Sequence, residues 1–475
     1  MWLLLSLNDI DSFLSVAFLM KKRFIPLVIC SLCTFNNYTL AATSTQSDLA
    51  LELENQQKQL KLIEQQLLDL KAASSKSTEN SKTMRVKNDV SQKNWQINSY
   101  GSVLYKSENV YRNIQDTEPE RRASTDLERV VLEFVYDFDA QWQMEIELEY
   151  EHGGTGSTLE YDGFEEFGEF ETEIEAGGEV IVEKMQAKYQ ANQYFTMKMG
   201  HIFVPVGLGT DLHKPTQYFS TQRYWSESTL IPQVWHETGI NLVSKWQDFT
   251  VQTLLTTGLN SEYFRTYNWV ATGHQRRFES VNADDLAFTV RLDYGNVKAG
   301  KGVGFSYYTG DTSGNRNNNT KVEGDGNLTI FGLHGAFSFE NWLVRGQYLF
   351  GQLDDSQAIT NANKTTAGLK PGNFSQLGSE AESAFIELSY NSQDLFDLAN
   401  PLYLYSTYEY ANPMKKVEQG EATDRFNMES IAVGVNYYPI SNIVLKAELG
   451  QQMHALNTLD NSTSFSLSMG YFFSI

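Results

Sequence analysis

Cysteine, long apolar runs and basic charge are all scarce in this sequence. Only Cys30 and Cys33 occur, both inside a stretch that reads as an export signal, so the exported chain carries no thiol. Thiol catalysis and thiolate metal sites are thereby excluded, and the chain suits an oxidising compartment without using disulfides. Nowhere does an uninterrupted apolar run reach the roughly 18 residues that a membrane-spanning helix requires. If the chain spans a membrane, it does so with strands. The net charge of -22 argues against nucleic-acid binding, which depends on basic faces that neutralise phosphate. No G-x-S-x-G elbow, H-E-x-x-H pair or phosphate-cradling glycine loop is present, and the seven histidines are scattered. No enzymatic activity, cofactor or metal is predicted, although a Ser-His-Asp site assembled from distant strands stays open.

Aromatic residues, by contrast, are plentiful, with 28 Phe and 25 Tyr in a 13% aromatic total. Such a content suits a barrel ringed by aromatic girdles, while composition alone is equally compatible with a secreted β-sandwich. Met20-Lys21-Lys22-Arg23, the apolar run Phe24 to Cys33 and the small residues near Ala41 form an export signal. Residues 1–42 are therefore read as an upstream extension plus signal peptide, with Met20 as the expected start.

Residues 43–71 contain a heptad pattern, with Leu53, Leu60 and Leu67 on one seam and Leu49, Gln56, Ile63 and Leu70 on the other. This predicts a periplasmic coiled coil. Leucine at one seam with isoleucine at the other leans toward three strands or more, and Gln56 would fix register. A homotrimer held by Leu53, Gln56, Leu60, Ile63, Leu67 and Leu70 is expected, and contact of this helix with the cell wall is an open alternative role. Residues 72–94, rich in Ser, Lys, Asn and Thr, read as a flexible linker.

From Trp95 to Ile475 the pattern has a period of two. In the clearest case Trp142, Met144, Ile146, Leu148 and Tyr150 point one way, and Gln143, Glu145, Glu147, Glu149 and Glu151 the other. Similar alternation recurs around Val130–Phe138, Leu286–Tyr294, Trp342–Phe350, Ile431–Tyr437, Ile443–Leu449 and Phe465–Phe473. Segments of about ten residues with aromatic ends suit tilted membrane strands better than globular ones. The prediction is an all-β fold, a transmembrane antiparallel barrel of about 16 strands with an aqueous lumen, preceded by the short helical coiled coil. The aromatic last strand reads as an outer-membrane assembly signal, so the chain is expected in a Gram-negative outer membrane, its N-terminal segment periplasmic and its wall against lipid.

The segments Gly200-His201-Ile202-Phe203-Val204-Pro205-Val206-Gly207, His213-Lys214-Pro215-Thr216 and Ile231 to Gly239 resemble the central region of the phosphate-selective porin O and P family. The coiled coil ahead of the barrel is similar to that of certain sugar porins. The resemblance implies a sixteen-stranded trimeric porin with a constriction formed by inward loops, passing small hydrophilic solutes or ions by passive diffusion. A surface-exposed adhesion or scaffold barrel with a plugged lumen and an acidic binding loop is the alternative function.

Inward faces are expected to present Arg129, Glu133, Glu145, Glu147, Glu149, Arg291, Arg345 and Lys446 to the pore. This mixture differs from the arginine- and lysine-lined pores of the phosphate-selective members. The long connection Pro205 to Gly239 is too aromatic to be disordered, and is predicted to fold inward as a constriction loop bearing His213, Tyr218, Arg223, Trp225, Trp235 and His236. Between Glu145 and Glu183 lie fourteen acidic residues and no Lys or Arg. Residues 152–179 are read as an outward, solvated loop, with a cation-collecting vestibule as the alternative. His274-Gln275-Arg276-Arg277 reads as an exposed turn, or as a basic counterpart to that loop.

Overall fold

A computed structural model describes residues 94–111, 116–159, 174–274, 281–316, 322–365 and 376–475. The export signal, the coiled coil with Leu53, Gln56, Leu60, Ile63, Leu67 and Leu70, most of the acidic loop, and Gln275, Arg276 and Arg277 lie outside the described residues.

Alternating sequence builds sixteen strands. They are β1 (Trp95–Val110), β2 (Glu120–Asp137), β3 (Trp142–Leu159), β4 (Ile174–Gln190), β5 (Phe195–Phe203), β6 (His236–Trp246), β7 (Phe249–Thr257) and β8 (Leu286–Asn296). There follow β9 (Lys301–Gly310), β10 (Leu328–Phe339), β11 (Trp342–Leu353), β12 (Glu380–Asn391), β13 (Leu402–Lys416), β14 (Met428–Ile440), β15 (Ile443–His454) and β16 (Ser462–Ser474). Each pairs antiparallel with its sequence neighbours, and β1 pairs with β16 to close the barrel. Closure gives every strand of the wall a neighbour on both sides; β3 and β4 run on as a hairpin past their outer neighbours, the β2–β3 ladder stopping at Arg129–Glu151 and the β4–β5 ladder at Met185–His201. Strand count and topology agree with the sequence reading. Lengths do not: β2 and β3 each run to 18 residues, well beyond the anticipated span.

Connections alternate in length. Beside the termini the turns are tight except for residues 392–401 between β12 and β13, and acidic or amide side chains close two of them. Asp139 accepts from the backbone amides of Gln141 and Trp142, and Asn192 from those of Tyr194 and Phe195; such Asx contacts mimic a backbone turn. The opposite end carries the long connections, including residues 204–235 between β5 and β6, which contain the single-turn helix α1 (Trp225–Ser228). Residues 354–379, between β11 and β12, contain α2 (Ser356–Thr365).

The two faces of the sheet reverse the soluble pattern. On β8, Leu286, Phe288, Leu292 and Tyr294 are exposed on the outside, whereas Thr289, Arg291 and Asp293 are buried within. The register carries this around the wall: Val344, Gly346 and Tyr348 of β11 lie opposite Leu388, Ile386 and Ala384 of β12 on the outer face. Aromatic residues gather at the short-turn end, where Trp95, Tyr136, Trp142, Trp246 and Tyr294 are exposed.

The buried core lies inside the barrel. Val204, Val206, Leu230, Ile231 and Trp235 from the β5–β6 connection pack with Phe264, Trp269 and Val270 from the β7–β8 connection and with Ile359 of α2. Full burial of one such side chain is worth about 1.5–3 kcal/mol, enough to hold the connections in the lumen. The wall makes room for them with glycine. A Cβ at Gly351 would meet the Trp269 ring at 2.1 Å, and Trp269 in turn donates from Nε1 to the Gly378 carbonyl at 2.9 Å. Gly351→Val is expected to expel the indole and cost about 1–3 kcal/mol, the usual range for overpacking. The check is tryptophan quenching by acrylamide, which rises in the variant; unchanged quenching would show that Trp269 is not seated on that glycine.

Candidate functional site

The β5–β6 connection crosses the lumen as a largely irregular segment, so most of its backbone polar groups need partners outside itself. Four cations of the wall supply donors to its carbonyls. Arg129 of β2 donates to the His213 carbonyl. Arg291 of β8 donates to Gly207 at 3.0 Å, and Arg345 of β11 to Gln217 at 2.5 Å. Lys446 of β15 donates to Tyr218 and Ser220, both at 2.8 Å. Aromatic faces complete the contacts: Lys446 Nζ lies 3.9 Å from the Tyr218 ring centroid and the Arg345 guanidinium 5.1 Å from that of Phe219.

Carboxylates and amides of the wall hold the loop's donors. Glu409 accepts from the Ser226 amide and hydroxyl at 2.9 and 2.8 Å. Glu448 accepts from the amide and hydroxyl of Thr221, both at 3.2 Å. Trp225 Nε1 reaches the hydroxyl of Ser430 on β14 at 2.7 Å. Gln347 accepts from the Leu208 amide at 2.5 Å and donates to Glu227 at 2.7 Å.

Within the loop, burial pushes the Glu227 carboxyl up to about 7, against hydrogen bonds from Gln347 and the Gly209 amide that favour its charge. Burial also works to raise Asp211, but Arg291 and Lys298 outweigh it and hold that carboxyl below its ordinary range. His213 is pushed down by burial and then by Arg129 and Lys214.

The loop also lies against an acidic stretch of the wall, where its Lys214 comes within 3.9 Å of Glu133. Lys184 of β4 lies 2.5 Å from Glu133, 2.8 Å from Glu147 and 3.6 Å from Glu145. Glu147 also accepts from the Tyr100 hydroxyl at 2.6 Å, and Arg129 pairs with Glu149 at 3.3 Å. Desolvating these carboxylates is costly unless each is paired, and the neighbouring strands provide the partners.

Of the residues predicted to face the pore, Arg129, Glu133, Glu145, Glu147, Glu149, Arg291, Arg345 and Lys446 all point inward. The four cations differ from expectation in being engaged by loop carbonyls. His213, Tyr218, Arg223, Trp225 and Trp235 lie in the connection between β5 and β6. His236 does not: it opens β6, opposite Phe203, because the extended pairing begins three residues before Gly239. Its ring packs against His201, with the nearest nitrogens 2.5 Å apart. Sequence reasoning missed Lys184, Glu387 and Glu409. Their inward parity within alternating strands was the available signal. Among the described residues, no group of three or more His, Cys, Asp or Glu is placed to hold a metal ion.

Between the loop and the β2–β3 wall lies a cavity of about 250 Å³, lined by Asp126, Glu128, Arg129, Glu151, His152, Tyr218, Gln222, Arg223, Trp225, Ser228 and Gln233.

No family model matches this chain. An uncharacterized protein of Aquifex aeolicus (strain VF5) is 26% identical over 377 residues, covering 78% of this chain and 77% of that protein. Among solved structures, the outer membrane channel DcaP of Acinetobacter baumannii overlaps with a TM-score of 0.48 at 11% identity, covering 81% of this chain and 99% of that one. OmpT, an outer membrane protein of Vibrio cholerae, overlaps with a TM-score of 0.44 at 12% identity, again covering 81% and 99%. The barrel rests on its own strand pairings rather than on these overlaps.

Two outcomes are expected. Arg291→Met leaves the Gly207 carbonyl without that donor and Asp211 and Asp293 without their guanidinium, at a cost of about 3–5 kcal/mol for breaking a buried pair; limited proteolysis should then cut between residues 205 and 235, and a resistant loop would show that Arg291 is not an anchor. The Glu227 carboxyl is raised in the folded state, so its stabilising contribution is complete below its ordinary value near 4.5 and is lost as pH rises through about 7. Thermal unfolding at pH 5 and pH 8 should show this fall in the parent chain and a smaller one in Glu227→Gln; equal pH dependence would exclude Glu227 as its source.

Proposed function

We propose that this chain is an outer-membrane channel of a Gram-negative-type envelope, through which small hydrophilic solutes diffuse passively, with residues 204–235 setting the aperture. The observation that carries this reading is the inverted wall: leucine, phenylalanine and valine are exposed outside while arginine and glutamate are buried inside. Water would favour the opposite arrangement. A hydrocarbon layer favours this one, with aromatic residues at its edges.

On this reading Arg129, Arg291, Arg345 and Lys446 border the pore chiefly by fixing the loop, and Glu133, Glu145, Glu147 and Glu149 form its acidic side. The proposed oligomer is a trimer, gathered by the coiled coil at Leu53, Gln56, Leu60, Ile63, Leu67 and Leu70. Phosphate selectivity is not part of the proposal, because the four cations predicted to line the pore are taken up by loop carbonyls. A second reading, a plugged scaffold barrel, is favoured by one specific feature, the apolar cluster built from two connections and α2 inside the lumen.

Planar-bilayer recording separates the two readings. Stepwise conductance in groups of three is expected for the trimeric channel, and properly folded protein giving no steps would leave the scaffold reading. The lipid-facing assignment has its own test. Leu333, exposed on the outer face of β10, should cost about 2–4 kcal/mol on replacement by Arg if it lies near the bilayer midplane. Urea unfolding in lipid vesicles measures this, and a neutral effect would place that face in water.

A further inference from the structure

The cavity between the loop and the β2–β3 wall contains polar groups that the protein itself leaves unused. Glu128 and Gln233 make no side-chain hydrogen bond among the described residues, and Glu128 Oε2, Gln233 Nε2 and Arg223 Nη1 are each without a partner. The ion pair of Arg223 with Glu151 is long, at 4.0 Å. The other charged groups of the lining are already engaged. Arg129 is held by Glu149 and the His213 carbonyl, and Asp126 by His152 at 2.9 Å. One under-used cation and one under-used carboxylate therefore share a cavity whose remaining surface includes the aromatic side chains of Tyr218 and Trp225.

Unsatisfied polar groups converging on a partly apolar cavity are the usual composition of a small-molecule site. We propose that this cavity is a subsite for an α-amino acid, whose carboxylate meets Arg223 and Gln233, whose ammonium meets Glu128, and whose side chain rests against Tyr218 and Trp225. A simple anion would leave Glu128 Oε2 without a hydrogen-bond donor, and a simple cation would leave Arg223 Nη1 without an acceptor. A zwitterion answers both. The inference rests on the reading of the lumen as a solute path and names the class of solute.

The test uses the folded full chain in detergent, with binding read by saturation-transfer NMR for three probes of one skeleton: L-leucine, isoamylamine, which lacks the carboxylate, and 4-methylpentanoate, which lacks the ammonium. Leucine should bind roughly tenfold more tightly than either analogue, the size of one lost hydrogen bond to a charged group. Glu128→Gln and Arg223→Gln should each weaken leucine by about the same factor, with Arg223→Gln acting on 4-methylpentanoate and Glu128→Gln on isoamylamine. Gln233→Leu, which removes no charge, should weaken leucine without touching isoamylamine, and serves where Arg223→Gln fails to fold. Equal binding of the three probes, or variants that bind leucine as the parent does, would overturn the subsite. Conductance of the same preparation keeps the two readings apart. Protein that conducts yet does not discriminate the probes loses only the subsite, and protein that binds leucine without conducting loses only the channel.

Discussion

The structure depends on how an irregular loop satisfies its backbone inside a barrel. Residues 204–235 contain one short helix and little other regular structure, so their carbonyls would stand unpaired against the apolar groups around them. The barrel answers with four long basic side chains, Arg129, Arg291, Arg345 and Lys446, placed on four well-separated strands and all reaching loop carbonyls. A hydrogen bond from a charged donor is stronger than a neutral one, and each of these also compensates a buried charge. The loop thus neutralises the wall as much as the wall positions the loop.

That mutual dependence explains why a chain with so many carboxylates tolerates burying them. Three carboxylates of β2 and β3 surround Lys184, while Tyr100 donates to Glu147, Asn98 to Glu133, and Arg129 pairs with Glu149. On β12, β13 and β15 the carboxylates of Glu387, Glu409 and Glu448 are compensated by Arg345 and by hydroxyl and amide donors of the loop. Acidic residues therefore serve two purposes inside the barrel, balancing the wall's own cations on one side and anchoring the loop on the other.

Much of the architecture was legible in the sequence because a strand of period two states its own facing. Trp142 to Glu151 and Leu286 to Tyr294 declare an apolar and a charged side, and a ladder between neighbours carries that choice around the ring. Contacts across the lumen were not legible in this way. Nothing in the alternation shows that Lys446 meets Tyr218, or that Lys184 reaches the glutamates of β2 and β3, since those meetings depend on strand order, tilt and the path of the loop. The edge of β6 was misjudged for a related reason: His236 lies in a stretch whose aromatic residues suggested a loop, while pairing with Phe203 makes it strand.

The positions of the loop's anchors also order events in time. Its seat is assembled from β2, β8, β11 and β15, so it exists only once nearly the whole ring has formed. No partial sheet offers the complete set of donors, and a chain that inserted its hairpins one after another would hold this segment unseated until the last strands arrived. Closing the ring and furnishing its interior are thereby joined into a single late event, and any change that delays the final strands also delays the moment at which the lumen takes its shape.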